Sequence, residues 1–135
     1  MAVTIKFPDI KSLPPPPLVS DLTSDERNAW EWISGNGTFD TMVINLSPNL
    51  ARLMLTRVGD NRKPKLATVA KYARIMTAAQ WRLTHQGLAI STRIEVIDGQ
   101  HRLLAVVESG VTIEVLVVRG VSQDAILFID GGITR

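Results

Sequence analysis

The chain has 135 residues, with 15 Lys and Arg against 13 Asp and Glu, two His and no Cys. Its length suits one domain with a modest core, and the lack of cysteine excludes disulfide scaffolds, thiolate zinc sites and thiol catalysis. With His85 and His101 as the two histidines, no multi-histidine site is expected, hence no zinc and no haem.

No apolar run reaches the roughly 20 residues of a membrane span. The opening MAVTIKFPDI lacks a basic leader followed by an apolar stretch. A cytoplasmic protein without membrane contact is therefore expected. Charge is spread unevenly: residues 1–51 hold three basic and six acidic groups, and residues 83–135 hold four and six. Residues 52–82 hold eight basic groups (Arg52, Arg57, Arg62, Lys63, Lys65, Lys71, Arg74 and Arg82) against Asp60 alone. Such an excess reads either as the footprint of a phosphate-bearing partner or as a solvated helix face.

Residues 1–37 read as an arm. Leu13-Pro14-Pro15-Pro16-Pro17-Leu18 predicts polyproline II, either a stiff spacer lying over the domain or a segment for a partner's groove. Ser24-Asp25-Glu26 opens a short helical pattern through Ala29, Trp30 and Ile33, ended by Gly35-Asn36-Gly37. Trp30 and Trp32 read as packing anchors, with base stacking as the functional alternative.

Residues 38–135 read as a compact domain of α/β (α+β) class, a small mixed sheet with helices. Phe39 to Leu46 is β-prone. Ser47 as N-cap and Pro48 at the first helical position predict a helix start. Ala51, Met54, Leu55 and Val58 follow at helical spacing, and Gly59 is expected to stop this helix. After the linker Asn61-Arg62-Lys63-Pro64-Lys65 a second helix carries the apolar stripe Leu66, Val69, Ala73 and Met76, with Lys71 and Arg74 roughly opposite. Trp81 is expected to close it as a core plug. Gly87 to Ile90 and Ile94 to Ile97 are strand candidates around Ser91-Thr92-Arg93. Residues 99–109 predict a helix stopped by Gly110, and Thr112 to Val118 a β-branched strand. Strand, crossover helix and strand would make a βαβ unit, right-handed if its strands are parallel. A short helix from about Ser122 to Phe128 follows.

The chemistry concentrates at Asp98-Gly99-Gln100-His101-Arg102, where a strand runs through a glycine turn into a helix start. Unpaired backbone N–H groups and the positive end of the helix dipole make such a start an anion site. Gly99 lets the backbone approach a ligand, His101 and Arg102 add donors, and Arg grips phosphate bidentately. Asp98 suits a Mg²⁺ that bridges phosphates. The plainer readings are Asp98 as N-cap, Gly99 as turn relief, and His101 and Arg102 as solvated groups. His85 reads as a general base or as a structural or exposed residue. Arg119 reads as a phosphate contact or a surface charge, and Asp130 as a further acid near the site or a mobile end.

Asp98-Gly-Gln-His-Arg-Leu-Leu-Ala105 resembles the D-G-Q-H-R signature of the ParB/sulfiredoxin superfamily. Its context resembles ParB-like proteins of phages and prophages: Ser47-Pro48, Asn61-Arg62, a basic helix to Trp81, and Leu116-Val117-Val118-Arg119-Gly120. The resemblance covers about residues 40–135. It implies a ParB/sulfiredoxin-like fold with a nucleotide, ATP or CTP with Mg²⁺, at Gly99, Gln100, His101 and Arg102. Asp98 matches the acid of a kinase-like branch and would be the metal ligand, with Asp98, Gln100 and His101 as the catalytic set. Gln100 stands where sulfiredoxins have cysteine, which excludes sulfinic reductase chemistry. It also stands where partition ParB has glutamate, which speaks against ParB-style CTP hydrolysis. No helix-turn-helix pattern follows the motif. Ile129-Asp130-Gly131-Gly132 resembles the point where relatives enter further helices, so the chain reads as a minimal version or a fragment; a fragment would expose apolar surface near Ile126, Phe128 and Ile133.

The resulting expectation is a nucleotide hydrolase or phosphotransferase associated with DNA, the nucleic acid lying on Arg62, Lys63, Lys65, Lys71 and Arg74. If phage-encoded, it would act in the bacterial host cell. The alternative is a DNA- or protein-binding module, such as a phage inhibitor, that keeps the fold without turnover.

Overall fold

A computed structural model describes residues 5–8, 10–58 and 63–128. Among the described residues there are four α-helices and a four-stranded mixed sheet: α1 (Ser24–Ser34), β1 (Asp40–Leu46), α2 (Pro48–Leu55), α3 (Leu66–Thr77), β2 (Leu88–Ser91), β3 (Val96–Asp98), α4 (Gln100–Ser109) and β4 (Ile113–Val121). Single turns of 3₁₀-helix cover Ile10–Ser12 and Val19–Asp21, and a longer 3₁₀ segment, Gln123–Phe128, stands where a short helix is expected.

Helices α1 and α2 start as their sequences dictate. Thr23 caps α1 in a reciprocal box: its hydroxyl accepts the Glu26 N–H at 3.2 Å, and the Glu26 carboxylate accepts the Thr23 N–H at 2.8 Å. Ser47 caps α2 by accepting the Leu50 N–H at 3.1 Å, with Pro48 behind it. The Ser47 hydroxyl donates to the other Glu26 oxygen at 2.5 Å, so one carboxylate holds both caps. Burial works to raise the Glu26 pKa, but the hydrogen bonds from Ser47 and Thr23 outweigh it and hold the carboxyl below its ordinary value.

The sheet order is β1-β4-β2-β3. Strand β4 pairs antiparallel with β1 and parallel with β2, while β2 and β3 form an antiparallel hairpin. The expected βαβ unit is therefore corrected: the strand leading into α4 is not the parallel neighbour of β4. That neighbour is β2, and its crossover to β4 runs through both β3 and α4. The tight turn at Ser91–Glu95, with Ile94 at a positive φ of 59°, reverses β3 before it can lie beside β4. A β-branched residue is costly in that backbone region.

One apolar core joins all these elements. Ile44 and Leu46 of β1 and Ile113, Val115 and Val117 of β4 meet Leu50 and Met54 of α2, Val69, Ala73 and Met76 of α3, and Leu103 to Val107 of α4. Ala29 and Ile33 of α1 belong to the same cluster, with Trp30 and Trp32 packed against it. Both tryptophans thus serve as packing anchors, partly buried against the core. The proline segment lies on the domain: the Arg52 guanidinium donates to the Pro15 carbonyl at 3.0 Å, and Leu13 packs on the core.

Three local expectations are corrected. Helix α2 ends at Leu55, before Gly59, which lies outside the described residues. Val58 is in an isolated bridge to Val96 instead of on the helix. Trp81 does not close α3, which stops at Thr77; it folds back from the following loop and meets Tyr72 edge-on at 5.6 Å between ring centres. Residues 129–135 also lie outside the described set, so Asp130, the Gly131-Gly132 turn and Ile133 have no structural account, while Phe128 is 85% exposed. No helix among the described residues is long and apolar enough to cross a membrane.

Candidate functional site at the starts of α3 and α4

Strand β3 delivers Asp98 at its exposed end, paired with Ala89 of β2. Gly99 then occupies the N-cap position of α4 with φ 103°, a left-handed conformation that favours glycine. A Cβ here would lie 2.3 Å from Leu88 Cδ2 and 3.0 Å from the Gly87 carbonyl oxygen. The missing side chain is therefore accounted for by packing against β2. Gly87 is subject to a similar constraint, because its Cβ would fall 1.9 Å from the Leu116 carbonyl oxygen. Asp98 does not take the N-cap position, and Gly99 has no side chain to cap with.

The first intrahelical bond of α4 runs from the Leu103 N–H to the Gly99 carbonyl. The N-cap residue of α4 makes no side-chain cap hydrogen bond, and the first turn of the helix holds no acidic residue. The same is true of α3, whose N-cap is Lys65. Acidic or capping residues normally stabilise both positions, and α1 and α2 of this chain have them. The two exceptions are neighbours: the Lys65 N–H donates to His101 Nε2 at 2.9 Å. That bond requires the neutral imidazole with its proton on Nδ1. Two positive helix ends, the Lys63 and Lys65 side chains and Arg102 thus share one region of the surface.

Arg102 is half-buried and directed by its neighbours. One of its terminal nitrogens donates to Gln86 Oε1 at 3.3 Å, and the guanidinium carbon stands 5.5 Å from the centre of the Tyr72 ring. Trp81 backs Tyr72, so α3 and its trailing loop build the wall against which Arg102 lies. The Thr84–Gln86 turn is closed by the Thr84 hydroxyl, which accepts the Gln86 N–H at 3.1 Å and donates to the Gln86 carbonyl. Two buried donor atoms of this first turn, Gln100 Nε2 and Arg102 Nε, have no acceptor among the described residues. Buried donors without acceptors are costly and rare.

The structure thus brings Asp98, Gly99, Gln100, His101 and Arg102 together with Lys65. Lys63 and Lys65 are exposed beside the site, and Lys71 and Arg74 are exposed on the outer face of α3. Arg62 lies outside the described residues. Gln86, not His85, reaches the motif. The Thr84-His85-Gln86 loop does line the site, through Gln86, whereas Tyr72 was not anticipated; an aromatic beside Lys71 in a basic helix is the signal that could have found it. Arg119 is corrected from a surface or ligand contact to a buried clamp. It is 8% exposed, donates to the Thr38 carbonyl at 3.0 Å and the Trp32 carbonyl at 2.6 Å, and stacks 4.5 Å from the Trp32 ring centre.

Among the described residues no three His, Asp or Glu side chains cluster as a metal cage. Mg²⁺ is commonly held by one or two carboxylates plus substrate phosphates, and the exposed carboxylate of Asp98 fits that pattern. Comparison with protein-family models, with curated proteins and with solved structures finds no match for this chain.

Proposed function

We propose that the protein binds a nucleoside triphosphate through its phosphates at the joined starts of α3 and α4. The observation that carries this reading is the Lys65–His101 bond, which sets side by side two helix N-termini whose first turns hold no acidic residue and whose N-cap residues make no side-chain cap bond. Each such end has backbone donors and positive partial charge to offer an anion. Arg102 and Gln100 add the buried donors that find no acceptor among the described residues. The resemblance of Asp98–Ala105 to the ParB/sulfiredoxin motif supports the same placement.

In this reading Arg102, oriented by Tyr72 and Gln86, grips phosphate oxygens, and Lys63 and Lys65 neutralise the rest of the charge. Asp98 holds Mg²⁺, which when bound would offset charge between adjacent phosphates. Hydrolysis or phosphoryl transfer at such a site relies on positioning and charge stabilisation. A second reading, binding without turnover, is favoured by one observation. His101 Nε2 already accepts the Lys65 N–H, so its lone pair is occupied and cannot take a substrate proton while that bond stands.

Calorimetric titration with ATP, ADP, CTP and GTP, each with Mg²⁺, tests the binding claim. Saturable binding of one triphosphate, weakened at least tenfold by Arg102→Gln and by the exposed pair Lys63→Gln/Lys65→Gln, is the expected result. No heat and no thermal stabilisation with any of the four would overturn it. Inorganic phosphate release under saturating nucleotide then separates turnover from binding alone.

A further inference from the structure

We infer that the free edge of β1 pairs antiparallel with β1 of a second copy of this chain, joining two sheets into one across a two-fold axis at Val43. The inference goes beyond the nucleotide site, which lies by β3 at the opposite edge of the sheet. The two edges are built differently. Strand β3 is three residues long, its pairing with β2 shifts register between Ala89 and Ile90, and Val58 bridges to Val96. Short length, bulges and covering segments are how proteins block an edge. Strand β1 runs for seven residues, pairs with β4 in unbroken register and contains no Pro or Lys. Its charged residue, Asp40, is paired with Arg119 at 3.8 Å.

Two observations show which backbone groups of β1 face outward. A Cβ on Gly87 would fall 1.9 Å from the Leu116 carbonyl oxygen, so that carbonyl points toward the β2 side of β4. Neighbouring residues of a strand point their backbone groups to opposite sides, so Val115 and Val117 bond β1 through Ile44 and Met42. Thr41, Val43 and Asn45 then turn their N–H and C=O groups away from the sheet. Independently, the Thr41 N–H donates to the Asp40 carboxylate at 2.9 Å, a side chain standing in for a strand. Outward N–H and C=O groups on an exposed strand are a template for another strand.

The order of side chains along β1 selects a second copy as the occupant. Antiparallel pairing about Val43 sets Thr41 opposite Asn45, Met42 opposite Ile44, and Asp40 opposite Leu46 of the other chain. Polar groups meet polar groups, apolar groups meet apolar groups around the axis, and no like charges stand directly opposite. This register also keeps each face continuous across the join. Val43 and its neighbours Leu116 and Val118 lie on the face turned away from the core, and that face would extend through the second sheet. Met42 and Val43, 40% and 46% exposed, are the apolar side chains that the join would cover.

Sedimentation equilibrium of the full chain from about 1 µM to 1 mM tests this. The expected result is a mass that rises from monomer toward dimer with concentration. Val43→Lys sets two like charges against each other at the axis and should weaken association about tenfold or more. Because the position is exposed, the thermal midpoint at the dilute end should stay close to the wild-type value. A second measurement reads the register. The chain contains no cysteine, so Val43→Cys adds a single thiol. Hydrogen-bonded partners on antiparallel strands stand about 5.5 Å apart at Cα, within disulfide reach. Mild oxidation should convert Val43→Cys to a covalent dimer much faster than Phe128→Cys, an exposed control. A monomer throughout the range, which leaves the edge to a strand of another protein, would overturn the inference. So would association that Val43→Lys leaves intact, or equal cross-linking of the two cysteine variants.

Discussion

His101 Nε2 accepts the Lys65 backbone N–H at 2.9 Å, and this bond ties the start of α4 to the start of α3 across 36 residues of chain. It makes the Asp98–Arg102 turn part of a larger electropositive region instead of an isolated loop. Replacing His101 by Ala removes the acceptor and leaves the Lys65 N–H to water. The expected cost is about 1 kcal/mol of stability, with faster amide exchange at Lys65 and Leu66 read by NMR. Unchanged protection at those amides would contradict the tie.

Gly99→Ala should destabilise by about 2 kcal/mol or more, combining a left-handed φ with a Cβ forced against Leu88 and the Gly87 carbonyl. Urea unfolding measures it. A loss confined to ligand binding, with stability unchanged, would assign Gly99 to ligand approach instead of packing.

Arg119 holds two backbone carbonyls and the Trp32 ring where the chain passes from α1 to β1. Arg119→Met should cost about 2 kcal/mol, because both carbonyls lose their donor in a partly buried setting. Thermal unfolding by circular dichroism checks this, and a neutral result would mean water replaces the guanidinium.

Glu26 connects protonation to stability. Its folded pKa lies below the ordinary value of 4.5, because hydrogen bonds from Ser47 and Thr23 favour the ionised form. Its contribution is therefore complete above pH 4.5 and is lost as pH falls through the lower, folded value. Glu26→Gln should destabilise by about 1–2 kcal/mol at neutral pH. The difference from the wild type should shrink below pH 4.5. A pH-independent difference would contradict the ionised cap.

Local chemistry made much of this fold readable. Ser47-Pro48 and the Ser24-Asp25-Glu26 run mark helix starts because caps use neighbouring residues, and the alternation through Ile113, Val115 and Val117 marks β4 because one face is buried. The sheet order was not readable in this way. Which strand lies beside β4 depends on the Ser91–Glu95 turn and on contacts distant in sequence. The site divides along the same line. Gly99 to Arg102 stand out as a strand–glycine–helix junction, whereas Tyr72, Gln86 and the Lys65 N–H reach it only after α3 packs on α4. Arg119 looked like a surface charge at a strand end, and only the return of the Trp32–Thr38 segment shows it buried.

The most direct measurement is an amide chemical-shift titration of the ¹⁵N-labelled protein with Mg-ATP and Mg-CTP. The account predicts saturable shifts for one of the two, largest at Gln100, His101, Arg102 and Lys65, and their loss in Arg102→Gln. Shifts confined to other surfaces, or none at millimolar nucleotide, would contradict a phosphate site at the joined helix starts.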